Sequence, residues 1–297
     1  MIIEQLKVFS RLNLPKLSRA IKSLLVELHL LPLTMRIRKP SSQFRTLIPR
    51  SHYYEGERLG RSITNVSKEY LLDSGWIESK TRNASIKNGR YIPWITYPAF
   101  DFLDRLNLEN FSIVEFGAGA STIYFSERCK NLISYEFDRN YFLEIEKLNE
   151  IFPNTKILLF DAQPIHSQKK EGNFVSPFID SELEQCILKD EKTWPISVGT
   201  ILTDDFLELT ESAILNSDLI FIDGGPRNTL IALVCRYVKP GAIIVVDNSN
   251  QEYLSIGSLI LKTKGFVEIP FTGLAPLSHF KSQTSLFIKD IDSLKML

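Results

Sequence analysis

The chain has 297 residues, 44% of them hydrophobic and 24% charged, with 35 basic and 35 acidic side chains that cancel. Its length accommodates one large α/β domain plus an extension, and no run approaches the roughly 18–20 uninterrupted apolar residues of a membrane span. Three cysteines (Cys129, Cys186, Cys235), odd in number and without metal-like spacing, exclude a disulfide framework and a cysteine metal site.

The first residues carry no basic segment followed by an apolar core, so no secretory signal is expected and the expected location is cytoplasmic. The balanced charge conceals an asymmetry: residues 1–100 hold 17 Lys/Arg against 7 Asp/Glu, and the remainder hold 18 against 28. One or two helices are predicted over 1–35, broken at Pro15 and Pro32. Within them Lys16, Arg19 and Lys22 interleave with Leu17, Ile21, Leu24, Leu25 and Leu28 at helical spacing. Such a basic amphipathic face suits an anionic membrane periphery, a second subunit in a homo-oligomer, or the acidic remainder of the same chain. Nucleic acid is not an expected partner, because the basic residues come without interleaved aromatics or a reading motif. Residues 36–95 read as irregular, which makes 1–95 a mainly helical and irregular N-terminal extension. Arg90-Tyr91-Ile92-Pro93-Trp94-Ile95-Thr96-Tyr97-Pro98 reads as an ordered loop leading into a helix at 99–106. Its aromatics, Tyr91, Trp94 and Tyr97, are candidates either for core packing or for the wall of a pocket, with Tyr97 a candidate substrate contact.

From residue 96 to 297 the pattern alternates short apolar runs with helical stretches. Strands are predicted at 111–116, 132–137, 156–160, 219–223, 242–247, 266–271 and 285–289, and helices at 121–129, 141–151, 204–216, 229–238 and 251–264. Alternation of this kind implies a parallel sheet with helices on both faces. The last two strands are joined by a loop without a helix, too short for a parallel crossover, so the final strand should run antiparallel. The expected fold class is therefore α/β: a Rossmann-like seven-stranded sheet, six strands parallel and the last antiparallel. Residues 162–203 read as a polar insertion.

The densest signal is Ile113-Val114-Glu115-Phe116-Gly117-Ala118-Gly119-Ala120-Ser121-Thr122. An apolar strand ends in an acid, and two glycines precede a helix start. Gly117 permits a tight turn, and Gly119 lets backbone approach a ligand without a Cβ in the way. Ser121 and Thr122 open the helix, whose first N–H groups face the same spot. A carboxylate at 115 suits the cationic groups of an amino-acid-bearing sulfonium cofactor, or else caps the turn. Glu136 ends the second strand, 17 residues after Gly119, where an acid can accept both ribose hydroxyls; Asp138 competes for that role.

These residues resemble the class I S-adenosylmethionine-dependent methyltransferases, over roughly residues 94–297. Glu115-x-Gly117-x-Gly119 is similar to that family's first motif, Glu136 to its ribose acid, and Asp161 to its adenine-contacting position. The pattern also resembles a set of bacterial methyltransferase-like proteins that share three further motifs. Here these are Pro93-Trp94-Ile95-Thr96-Tyr97-Pro98, Asp223-Gly224-Gly225-Pro226-Arg227 and Asp247-Asn248-Ser249. Thr122 departs from the broader family, where a third glycine is frequent. The resemblance implies S-adenosylmethionine as cofactor, and the expected activity is methyl transfer to an oxygen of a small molecule or a glycan intermediate. The alternative is a non-catalytic scaffold that retains the nucleoside-binding sheet. A nicotinamide-dependent enzyme is disfavoured by Glu115 and by the lack of sequence for a second catalytic domain.

Catalytic groups should lie at the carboxyl ends of the fourth and fifth strands, beside the cofactor cleft. Asp223 and Asp247 occupy those ends, 24 residues apart in sequence. With Asn248 they form a set of hard oxygen ligands suited to Mg²⁺, similar to that of the catechol-type O-methyltransferases; without a metal, Asp223 is a cofactor contact or a base. Arg227, at a helix start, is a candidate clamp for an anionic substrate group. His279, in the loop before the last strand, is a candidate general base.

Overall fold

A computed structural model describes residues 50–160, 169–170, 173–174, 180–193 and 204–289. The chain divides into two compact units, 1–73 and 74–297. The helices expected over 1–35 lie outside the described residues. In the first unit the described element is α1, Arg50–Asp73, a 24-residue helix in a stretch read as irregular. Ile63, Val66 and Tyr70 recur along it at helical spacing, a periodicity that the sequence reading passed over among polar and charged neighbours. Among the described residues no helix is long and apolar enough to cross a membrane.

The second unit opens with α2 (Trp76–Arg82), a small hairpin of β1 (Ile86–Lys87) and β2 (Arg90–Tyr91), and α3 (Tyr97–Leu103). Seven strands then build one sheet: β3 (Ser112–Phe116), β4 (Asn131–Glu136), β5 (Thr155–Leu159), β8 (Leu219–Ile222), β9 (Ile243–Val246), β10 (Val267–Gly273) and β11 (Ser282–Ile288). A two-residue pair, β6 (Lys169–Lys170) and β7 (Asn173–Phe174), forms a separate hairpin in the insertion. The strand order across the main sheet is β10-β11-β9-β8-β3-β4-β5. β3, β4, β5, β8 and β9 are mutually parallel, and β11 runs antiparallel between β9 and β10. All seven strands lie where the apolar runs placed them, with the last antiparallel as the short connection requires.

The helices between strands are α4 (Ala120–Ser126), α5 (Arg139–Ile145), α6 (Leu148–Ile151), α7 (Ser181–Thr193), α8 (Asp204–Leu215), α9 (Arg227–Tyr237) and α10 (Ser255–Thr263). The helix predicted over 141–151 is interrupted at Glu146 and Lys147, and that over 251–264 begins as a 3₁₀ turn at Glu252–Leu254. β8 and β9 are buried along their whole length, as expected for central parallel strands covered on both sides. One face packs Val114, Phe116, Ile220, Ile222, Ile244 and Val246 against apolar residues of α7, α8, α9 and α10. The other packs Phe221 edge-on to Phe125 of α4, which meets Tyr124 and, through it, Phe100 of α3.

The insertion holds α7, which the polar composition of 162–203 did not suggest. Fully buried Asp190 on α7 accepts hydrogen bonds from the backbone and side chain of both Asn228 and Thr229, at the start of α9. Asn228 in turn reaches the Tyr253 carbonyl and the Gly257 amide. One carboxylate thus ties the insertion to the helix that follows Asp223.

Candidate functional site

The sheet's parallel register brings the carboxyl ends of β3, β4, β8 and β9 to one edge. Gly117 leaves β3 with φ 98, in the left-handed region that favours glycine, and its N–H donates to the Tyr135 carbonyl. A Cβ there would lie 2.6 Å from the Gly224 nitrogen, because the two glycine backbones are in direct contact. The N–H groups of Asp223 and Gly224 both donate to the Phe116 carbonyl, at 2.9 and 2.7 Å, which closes the β3 and β8 turns onto each other. Gly224 entered the sequence reading only as part of the Asp223–Arg227 motif; its requirement comes from a neighbour more than a hundred residues earlier.

Gly119 differs. Its φ of 171 is extended backbone open to any residue, and among the described residues a Cβ there would meet only the Tyr141 hydroxyl, at an ordinary 3.5 Å. Neither conformation nor internal packing demands a glycine at 119. An open backbone face of this kind fits a ligand that approaches closely, so the loop fits the cofactor implied by the sequence.

Glu115 lies beneath this loop, fully buried. In the β3–β4 ladder it is paired with Ser134, and the Ser134 hydroxyl donates to its Oε2 at 2.5 Å. The Thr122 hydroxyl donates to the same oxygen at 2.6 Å and accepts from the Gly119 N–H at 2.8 Å. Thr122, where a glycine is frequent in the resembled family, therefore links the loop to the buried acid. Ser121 is likewise buried. Among the described residues Glu115 Oε1 has no hydrogen-bond partner. Burial pushes the carboxyl up to about 7 despite the hydroxyl groups around it. The acid expected to face a cationic ligand thus has its first partners inside the protein.

Glu136 ends β4. Its Oε1 accepts from the N–H groups of Phe137 and Asp138, and its Oε2 from that of Ala118. Burial raises its pKa, against the lowering effect of those three amides. The carboxylate is held rigidly beside the glycine loop with lone pairs remaining on both oxygens, which fits a ribose diol. Asp138 instead caps α5, accepting from the Tyr141 N–H. Asp161 lies outside the described residues.

Ile222 and Val246 are register partners, so Asp223 and Asp247, one residue on, leave the sheet side by side. Burial raises the pKa of both; the Asp247 charge adds to the rise at Asp223, and Arg227 opposes it at each. The interaction between the two carboxyls raises the Asp223 pKa and opposes the rise at Asp247. Asp223 is the more open, its side chain 22% exposed, whereas Asp247 is buried and accepts from the Thr284 hydroxyl on β11.

Arg227 corrects two expectations. Only 9% exposed, its guanidinium turns inward: Nη1 donates to the Asp247 carbonyl and Asn248 Oδ1, Nη2 to the Asp223 carbonyl and carboxylate. It is therefore not presented as a clamp for a substrate anion. It also stands among the oxygens of Asp223 and Asn248 that were expected to hold Mg²⁺. The residues do not fit the metal, because a cationic side chain already satisfies that donor set. Among the described residues no cluster of three or more His, Cys, Asp or Glu side chains is arranged to hold a metal ion.

Asp223, Asp247 and Asn248 open onto a cavity of about 470 Å³, whose wall also includes Trp94, Ala275, Leu277, His279 and Phe280. Of the aromatics before α3, Trp94 lines this cavity and is 52% exposed, whereas Tyr97 is 1% exposed in the core. Tyr97 therefore offers no surface to a substrate: its position at the first turn of α3, with its N–H on the Leu274 carbonyl, turns it inward. His279 reaches the cavity, as the loop position suggested.

No protein-family model matches the chain, and no curated protein does. Among solved structures the chain is similar to the precorrin-6y C5,15-methyltransferase of Geobacter metallireducens, at 16% identity over 62% of this chain and 85% of that one, with a TM-score of 0.35. It is also similar to Aeropyrum pernix fibrillarin with natively bound S-adenosyl-L-methionine (11% identity, 61% and 66% covered, TM-score 0.38). A third is the O-methyltransferase TomG of Streptomyces achromogenes in complex with the same cofactor (12%, 63% and 74%, TM-score 0.34). Likeness at this level assigns neither reaction nor substrate. By its own strand order, its antiparallel β11 between β9 and β10 and its glycine turn after the first sheet strand, the chain has the Rossmann-like fold of the class I methyltransferases.

Proposed function

We propose that this chain is an S-adenosylmethionine-dependent methyltransferase acting on a hydroxyl of a small molecule or a glycan intermediate. The observation that carries the reading is the open backbone at Gly119, which the protein's own packing does not explain, beside the rigidly held Glu136. The cofactor, when bound, supplies an electrophilic methyl with a good leaving group. Glu136 would accept hydrogen bonds from the ribose hydroxyls, and the Gly117–Gly119 backbone would hold the amino-acid end.

Asp223 is the group at which the acceptor gives up its proton. A carboxyl whose pKa is raised by burial is a stronger base than a solvated one. The acceptor hydroxyl gives its proton to the carboxylate of the Asp223–Asp247 pair as the oxygen–methyl bond forms. The pair gains the one proton that the acceptor loses, so charge and protons balance. Arg227 keeps the pair together and no metal takes part.

The test is transfer of label from methyl-labelled S-adenosylmethionine into small-molecule and glycan extracts in the presence of a chelator. Label should appear undiminished by the chelator, and Asp223→Asn should lower it by about 10²-fold or more. A chain that binds cofactor but labels nothing is the scaffold alternative, and loss of transfer on chelation would reinstate the metal.

A further inference from the structure

We propose that Lys80 is a positioning residue that sets the imidazole of His279 as a hydrogen-bond donor at the wall of the cavity. α2 and the loop between β10 and β11 are about two hundred residues apart in sequence, and three polar contacts and one ring contact join them. The Trp76 indole N–H donates to the Ser278 carbonyl at 2.7 Å. The Lys80 ammonium donates to the Leu277 carbonyl, and lies 2.8 Å from Nε2 of His279. The same ammonium sits 5.5 Å from the Trp76 ring centroid, and that ring meets His279 edge-on at 6.3 Å. Leu277, between these anchors, has φ 62, a conformation a leucine rarely adopts outside an enforced turn. The latch therefore holds the loop in one shape and His279 in one place.

The chemistry of the contact decides the hydrogen's place. An ammonium has only hydrogens to give. Nε2 must accept, which leaves the ring hydrogen on Nδ1. While Lys80 is in place, Nε2 is not available to take a substrate proton, so His279 offers an N–H to whatever occupies the cavity. Proton acceptance then falls to the Asp223–Asp247 pair alone. That last consequence rests on the methyl-transfer reading; the ring's tautomer does not.

The experiment is long-range ¹H–¹⁵N correlation on the imidazoles of the full chain at about pH 8, above the usual histidine range, with His279→Gln to assign the signal. In the wild type, His279 should carry its hydrogen on Nδ1 with Nε2 bare. Lys80→Met should move it toward the Nε2–H form, and Lys80→Arg, which keeps a donor, should retain Nδ1–H. An Nε2–H ring in the wild type, or a Lys80→Met spectrum identical to it, would overturn the proposal. Should Lys80→Met fail to fold, the wild-type tautomer and the arginine variant decide alone. Cofactor titration of the same samples separates the two ideas: a chain that ignores S-adenosylmethionine but keeps the Nδ1–H ring loses only the enzymatic reading.

Discussion

Gly117 and Gly119 stand two residues apart and carry opposite expectations. Alanine at 117 must adopt φ 98 and place a Cβ 2.6 Å from a backbone nitrogen, so Gly117→Ala should destabilise the fold by about 1–3 kcal/mol in thermal or urea unfolding. Alanine at 119 meets nothing closer than 3.5 Å. Gly119→Ala should leave stability within about 0.5 kcal/mol yet weaken cofactor binding at least about tenfold. Glu115 gives a pH signature. Its pKa stands at about 7 in the folded chain against an ordinary 4.5, so the folded state keeps a proton that the unfolded chain releases. This contribution is whole below about pH 4.5 and is lost as pH rises through 7, on the order of 3 kcal/mol at 1.36 kcal/mol per unit. Glu115→Gln should flatten that share of the slope in urea unfolding between pH 5 and 8; an unchanged slope would mean the carboxyl is not buried in this way. The acid and the glycines were legible because their types and spacing are local. The partners of Glu115 were not, since Ser134 reaches it only through strand register, and nothing local to Arg227 tells whether it turns outward to a substrate or inward to Asp223 and Asn248.

At the scale of elements, the strands were legible because central parallel strands are continuous apolar runs, as in the Leu219–Ile222 and Ile243–Val246 segments. Helices set in polar, charged stretches, such as Arg50–Asp73, were not, and neither was the helix Ser181–Thr193 inside a polar insertion. What fixes the latter is tertiary: Asp190 meets the start of the helix after β8. Asp190→Ala leaves buried donors of Asn228 and Thr229 without that partner and should cost about 2–4 kcal/mol in thermal unfolding. A cost under about 0.5 kcal/mol, the range of ordinary surface substitutions, would show that the insertion is not tied to the sheet by this carboxylate.

For the whole molecule, the order of strands places four chain segments at one edge, bringing there the Gly117–Gly119 loop, Glu136 and the Asp223–Asp247 pair, the last of which lines a cavity. The topology was foreseeable from alternation and from one short connection. The acceptor is not legible in the same way, because the cavity wall comes from Trp94 and the loop before β11, irregular segments whose side chains are aimed by the fold. The central claim is that the Gly117–Gly119 loop and Glu136 hold S-adenosylmethionine. Isothermal titration of the purified full chain with S-adenosylmethionine and S-adenosylhomocysteine tests it most directly, with Gly119→Ala and Glu136→Ala alongside and a dinucleotide as the competing ligand. Both sulfur ligands should bind the wild type, and both variants should lose at least about tenfold in affinity, or 1.4 kcal/mol. Heats from the dinucleotide alone, or sulfur-ligand binding that survives both substitutions unchanged, would contradict the account.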